Sequence, residues 1–260
     1  MSLLRVIAGI DHDGTKHTII ADTNGHLVCL GFNQHAAHRG KVFHCSQAFG
    51  EIADDAEIAL LMTVGATKDA HILDMSGAFE GSWALQAFED PELTSVGTVL
   101  PLCKDLNRFI AGTSNVTMTQ TPVAVNTTVD ANSASGQKIL NVTATAGFAA
   151  DGWILIDDGE TGVANNEPAQ VDTIQDGVSL TMKENLLNTY TNETVVATGL
   201  RLMDMHTEGG EKRDLGGSAA ETGNWIFKSG SSYFLRMRNR SDADARGSFK
   251  MYWLEEDKQT

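Results

Sequence analysis

Tyr233-Phe234-Leu235-Arg236-Met237-Arg238 is the stretch on which the fold turns. Successive side chains of a strand point to opposite faces, so Tyr233, Leu235 and Met237 share one face while Phe234, Arg236 and Arg238 share the other. One face is core and the other is surface. The pattern returns near the end of the chain, where Phe249, Met251 and Trp253 alternate with Lys250, Tyr252 and Leu254. Outward from these two segments, short β-branched or aromatic runs bounded by Gly, Asn or Asp recur at Thr18 to Ala21, Lys41 to Cys45, Asn115 to Thr119, Leu140 to Thr145, Trp153 to Ile156, Val178 to Met182, Thr194 to Ala197 and Trp225 to Lys228. Many short strands at this spacing predict an all-β sandwich or barrel. Helical periodicity is weak: Ala56 to Leu61 and Lys104 to Ile110 are expected to form a turn or two each, too short for a stable helix.

Composition agrees with a folded chain. Of 260 residues 42% are hydrophobic, with 25 Gly and only 4 Pro, which argues against disorder and collagen-like repeats. The formal charge of −15 repels phosphate backbones and anionic lipid, so neither nucleic acid nor a membrane surface is an expected partner. The longest apolar stretch, Ile58 to Val64, is far below the roughly 20 residues of a membrane-spanning helix. The N-terminus lacks the pattern of a secretory signal, and three widely spaced cysteines (Cys29, Cys45, Cys103) do not suggest a disulfide framework. The expectation is synthesis in a reducing cytoplasm.

The acidity is unevenly distributed. From Thr121 to Leu200 there is no Arg, His or Cys, and two lysines (Lys138, Lys183) face ten acids, so this window carries −8 and the rest of the chain −7. The Thr-, Ser- and Asn-rich run Asn126 to Ser135 reads as a loop or linker. The organisation expected is an N-terminal arm over 1–40, a β-sandwich split between 41–121 and 199–260, and an inserted acidic β-module over 122–198.

Catalytic and cofactor motifs are missing from the sequence. No two glycines are separated by exactly one residue, no Gly-Lys-Ser/Thr is present, and the Gly77/Gly81 pair has Phe79 at its centre, so dinucleotide, nucleotide and serine-hydrolase signatures fail. His26, Cys29, His35 and His38 have a spacing that superficially suggests zinc. Residues three apart on a strand face opposite sides, however, which favours a surface or interface histidine cluster. The carboxylate pairs Asp54-Asp55, Glu89-Asp90, Asp157-Asp158 and Glu255-Glu256 are adjacent and so point apart, unlike a glycosidase dyad. Asp11-His12-Asp13-Gly14 and Asp157-Asp158-Gly159-Glu160 lack the full calcium-loop spacing. No enzyme activity, metal or cofactor is expected. Five Asn-x-Ser/Thr sequons (Asn115, Asn126, Asn141, Asn192, Asn239) read as a by-product of Asn- and Thr-rich strands. Arg236, Arg238 and Arg240 form a row on the non-core face of their strand, open to an acidic partner or a neighbouring subunit. Trp83, Trp153, Trp225 and Trp253 are more readily core residues than sugar platforms.

Several stretches, taken in order, resemble a group of tailed-bacteriophage virion proteins: His35-Ala36-Ala37-His38-Arg39-Gly40-Lys41-Val42-Phe43, Leu60-Leu61-Met62-Thr63-Val64 with His71, Phe88-Glu89-Asp90-Pro91 with Gly97-Thr98, Leu106-Asn107-Arg108, Trp225-Ile226-Phe227-Lys228, Tyr233-Phe234-Leu235-Arg236 and Trp253-Leu254-Glu255. The resemblance implies a jelly-roll-like sandwich acting as a head decoration or cement protein on the virion surface, bound to the major capsid protein, often as a homotrimer. The insertion sets this chain apart from simpler members, and its segments Thr145 to Phe148 and Trp153 to Gly159 look like a small β-module of other virion proteins. Arg5, His35, His38, Arg39, Arg236, Arg238 and Arg240 are the expected capsid or subunit contacts. The strands of the arm, Arg5 to Ile10 and His17 to Ala21, are expected to pair with a neighbour or lie on the capsid. The alternative is a tail- or fibre-associated module that binds a host surface glycan, through the insertion among other routes.

Overall fold

The computed structural model describes residues 6–10, 16–20, 41–100, 104–105, 113–157, 166–207, 212–216 and 225–258, and every regular element in them is a strand. Of the arm, β1 (Val6–Ile10) and β2 (Lys16–Ile20) are described. They pair with each other as an antiparallel hairpin, which satisfies one edge of each strand locally.

The chain continues through β3 (Val42–Ile52), β4 (Glu57–Val64), β5 (Lys68–Phe79) and β6 (Trp83–Glu89), then a neck of short strands: β7 (Leu93–Ser95), β8 (Thr98–Val99), β9 (Lys104–Asp105), β10 (Val116–Gln120) and β11 (Val123–Ala124). Six strands follow: β12 (Asn126–Thr128), β13 (Ile139–Asn141), β14 (Trp153–Asp157), β15 (Glu167–Gln175), β16 (Ser179–Met182) and β17 (Val195–Thr198). The return path is β18 (Leu200–Thr207), β19 (Lys212–Gly216), β20 (Trp225–Phe227), β21 (Ser232–Asn239) and β22 (Ala245–Asp257).

Pairing follows a rolled-up hairpin. The outward path pairs with the return path in reverse order: β3 with β22, β4 with β21, β5 with β19, and β6 with β18, all antiparallel. The strands then divide between two sheets, β18-β6-β21-β4-β10-β8 and β19-β5-β22-β3-β9, with β20 also pairing β5. This is the jelly-roll arrangement of two packed sheets. Its core holds Phe43, Leu60, Met62, Met75, Leu85, Leu235, Met251 and the fully buried Trp83 and Trp253. Each large apolar side chain moved from water into such a core contributes about 1.5–3 kcal/mol. The Phe79 ring lies over Gly77, where an added Cβ would come within 2.2 Å of it, and packs at 5.1 Å from Trp83.

The tip of the rolled hairpin, between β6 and β18, carries the second unit. Its strands run β12-β17-β14-β15-β16-β13, and a bridge between Val129 and Val142 joins the two ends, so the sheet closes into a small barrel. Closure leaves no open edge to template aggregation. The barrel has its own core, including Val129, Leu140, Phe148, Ile154, Ile156, Leu180, Tyr190 and Val196. Glu167, nearly buried, accepts hydrogen bonds from the Leu187 N–H (2.9 Å) and the Tyr190 hydroxyl (2.8 Å), pinning the loop before β17.

The segment Ala56 to Leu61, expected to turn helically, lies instead at the start of β4. Its inward residues Leu60 and Met62 enter the jelly-roll core, and its outward residues Ala59 and Leu61 are buried too. A strand covered on both faces shows a continuous apolar run instead of alternation. Of Lys104 to Ile110, only Lys104 and Asp105 are described, and they are strand.

Candidate functional site

Each sheet of a sandwich turns one face to the core and one outward. On the sheet containing β4, β21 and β6, the outward face is formed by Ala59, Leu61, Phe88 and Phe234, and the barrel residue Leu155 is seated on it without exposure. Alternation along β14 explains this position, since Ile154 and Ile156 fill the barrel while Leu155 points away from it. Asp157, on the same side of β14, meets Arg236 of β21 at 3.1 Å. The Arg236 guanidinium also donates from Nε to Gln86 Oε1 (2.9 Å) and lies 5.5 Å from the centre of the Phe88 ring. Around the neck, the Val125 N–H donates to Glu92 O (2.8 Å), the Thr198 hydroxyl to the same oxygen (3.1 Å), and the Gly199 N–H to Trp153 O (2.7 Å). Gly199 has φ +111°, a conformation that disfavours side chains, and a Cβ there would sit 3.0 Å from Phe88 Cβ.

The arginine row is thus engaged within the chain. Arg236 holds the barrel, while Arg238 donates to Asp55 O (3.0 Å) and Arg240 to Asp55 Oδ1 (2.7 Å), bracing the turn between β3 and β4. Sequence alternation places these residues on the outer face but cannot show that their partners come from the same chain. Arg5, His35, His38 and Arg39 lie outside the described residues, as do His26, Cys29, Cys103 and Asp11 to Gly14. Among the described residues no three His, Cys, Asp or Glu side chains gather as metal ligands would.

The other singled-out residues disperse. Trp83 and Trp253 are core, Trp225 packs half-buried against the core, and Trp153 is 40% exposed on the barrel. Asp54 and Asp90 each accept a backbone N–H, from Asp242 (3.1 Å) and Ser232 (2.8 Å). Asn115 and Asn239 spend their side-chain amides on Gly65 O (2.9 Å) and Ala243 O (2.7 Å), so these sequons are occupied by structural bonds.

The second sheet turns its outward face to the opposite side of the sandwich, away from the barrel. Here the rings of His44 and Tyr252 stack at 5.7 Å, and Lys250 pairs with Asp74 at 3.0 Å. Beside them Ser46, Ala48, Ser76, Ala78, Ser248 and Lys250 line a shallow depression of about 360 Å³. Ser76 Oγ is buried there with no hydrogen-bond partner. Sequence reading missed this face. Its signal is three small-residue segments, Ser46-Gln47-Ala48, Ser76-Gly77-Ala78 and Gly247-Ser248, which the pairing sets side by side.

No protein-family model, curated protein or solved structure matches the chain. The site therefore rests on geometry: a jelly roll with a second β-unit clamped to one outer face, and a low-relief face on the other.

Proposed function

We propose that this protein is a non-enzymatic bacteriophage virion structural protein, a capsid decoration or cement protein that binds the major capsid protein lattice, acts as a homotrimer and stabilises the head. The observation that carries this reading is the opposition of the two faces. The barrel occupies one side of the jelly roll through Leu155 and the Arg236–Asp157 pair, and the depression among Ser46, Ala48, Ser76 and Ser248 lies on the other. A protein that sits on a lattice needs such a division, with one side to dock and one to display. Short side chains let a partner backbone approach closely and lose little rotamer freedom on docking. Many weak copies of that contact across a lattice, linked through a trimer, bind far more tightly than one.

The test is binding to capsids from which the decoration has been removed. The wild-type chain is expected to bind, and a variant carrying Ala48→Arg and Ser248→Arg to bind at least tenfold more weakly while keeping its thermal midpoint. Failure of the wild type to bind, or labelling confined to the tail, overturns the reading.

A further inference from the structure

At the edge of the sandwich, where β20 and β18 form the borders of the two sheets, lies a pocket of about 350 Å³ lined by Glu89, Leu202, Trp225, Phe227, Lys228 and Tyr233, with Ile226 at its mouth. The volume falls in the small-molecule range of about 300–1,000 Å³. Its floor is rigid. The Phe227 and Tyr233 rings stack at 3.7 Å with 7° between planes, and Trp225 packs against Phe227 at 6.1 Å. The Tyr233 hydroxyl accepts from the Lys228 N–H (2.8 Å) and donates to Glu89 Oε1 (3.0 Å). Burial, reinforced by the neighbouring Glu89 carboxylate, holds the Tyr233 proton well above the usual tyrosine range, so this hydroxyl remains a donor to Glu89.

Three of the lining residues keep open polar valences. Among the described residues, Glu89 Oε2 and the Trp225 indole N–H enter no hydrogen bond, and the Lys228 ammonium, largely exposed, stands 3.9 Å from Glu89 Oε1. The lining thus combines apolar side chains with an acceptor and two donors, and Leu202 and Ile226 (50% exposed) add to its apolar part. Four ligand classes can be weighed against this set. A purely apolar ligand would cover the Glu89 charge without pairing it, which is costly. An anion meets that same carboxylate and a chain of charge −15. A cation competes with Lys228 for Glu89. A neutral ring bearing adjacent hydroxyls satisfies both, donating to Glu89 and accepting from Lys228 or the indole N–H, while its C–H face rests against the half-buried Trp225, since Phe227 and Tyr233 are each only 2% exposed.

We infer that this pocket binds a monosaccharide unit of a neutral glycan. The site is independent of whether the chain sits on the head or elsewhere on a virion.

Saturation-transfer NMR on the full chain, with glucose, galactose, mannose and N-acetylglucosamine as separate probes and arginine methyl ester as a cationic one, tests it. At least one sugar is expected to show saturable transfer to its ring C–H protons, weakened at least tenfold by Trp225→Ala, by Lys228→Met and by Glu89→Gln, and unchanged by Trp153→Ala on the barrel. Lys228→Met changes an exposed side chain and so keeps the test valid if Trp225→Ala fails to fold. No saturable transfer with any of the sugars, transfer that persists in Lys228→Met and Glu89→Gln, or saturation by the arginine ester alone overturns the inference.

Discussion

Glu255 is 1% exposed and yet carries a carboxylate, a placement that is costly unless the charge is fully met. Here it is met from three directions. Ser114 donates its hydroxyl (2.5 Å), Asn115 its backbone N–H (2.9 Å to Oε2), and Trp253 its indole N–H (3.2 Å), with the Lys68 ammonium at 3.8 Å. One side chain therefore ties β22 to the loop entering β10 and to the start of β5, joining both sheets at one end of the sandwich. Removing the acceptor leaves three donors unpaired in the interior. Glu255→Ala is expected to cost about 3–5 kcal/mol, the range for breaking a buried charge network from one side. Glu255→Gln keeps an acceptor oxygen and is expected to cost about 1–3 kcal/mol. Chemical denaturation checks both, and an Ala variant within about 0.5 kcal/mol of wild type, the usual range of a surface substitution, would show that the network does not act as described.

At the scale of elements, the seam between the barrel and the jelly roll depends on β14 being used twice, inward by Ile154 and Ile156 and outward by Leu155 and Asp157. Leu155→Ala removes the barrel's side chain from the cluster of Ala59, Leu61, Phe88 and Phe234 and is expected to cost about 2–5 kcal/mol. Leu155→Asp goes further by placing an unpaired carboxylate on that apolar face, and calorimetry is expected to resolve two transitions, barrel and jelly roll, where the wild type unfolds in one. A single transition in both proteins would mean that the two units are coupled through the neck alone. The same double use decides what the sequence makes legible. Tyr233 to Arg238 alternates and is readily recognised as a strand, but alternation puts Phe234 on the surface side, where it is buried in one cluster with Leu155. Ala56 to Leu61 and Trp153 to Ile156 lack alternation because both of their faces are covered, so periodicity suggests a helical turn for the first and a strand of no particular face for the second. For the arginine row, alternation gives the face correctly, but a partner such as Asp55 or Asp157 is far away in sequence and becomes visible only once the strands are paired. The depression on the opposite face is assembled from three distant small-residue segments, none with a signal of its own.

At the scale of the whole molecule, the charge of −15 is a statement about two units, since the ten acids and two lysines of the Thr121 to Leu200 window all lie in sequence between the first and last strands of the barrel. The barrel is also separable in principle. Its first and last strands are paired, Asn126 opposite Ala197, and the Thr198 N–H donates to Val125 O at 3.1 Å, so the two crossing points already lie side by side. Residues 126–197 can therefore be replaced by Asn-Gly, which closes an antiparallel pair with a two-residue turn. The jelly roll left behind keeps its own core and all four of its reverse-order strand pairs, but Ala59, Leu61, Phe88 and Phe234 become a bare apolar face and Arg236 loses Asp157. Exposed contiguous apolar surface drives association, and the shortened chain has shed more than half of its net negative charge. It is expected to form larger assemblies than the full chain in size-exclusion chromatography with light scattering, and Leu61→Thr with Phe234→Thr is expected to restore the original size. Because the barrel and the depression lie on opposite sides of the sandwich, the proposed decoration role predicts that the repaired chain binds undecorated capsids as tightly as the full chain. An unchanged size without those two substitutions would show that the covered face needs no cover, and loss of capsid binding in the repaired chain would move the docking surface from the jelly roll to the barrel.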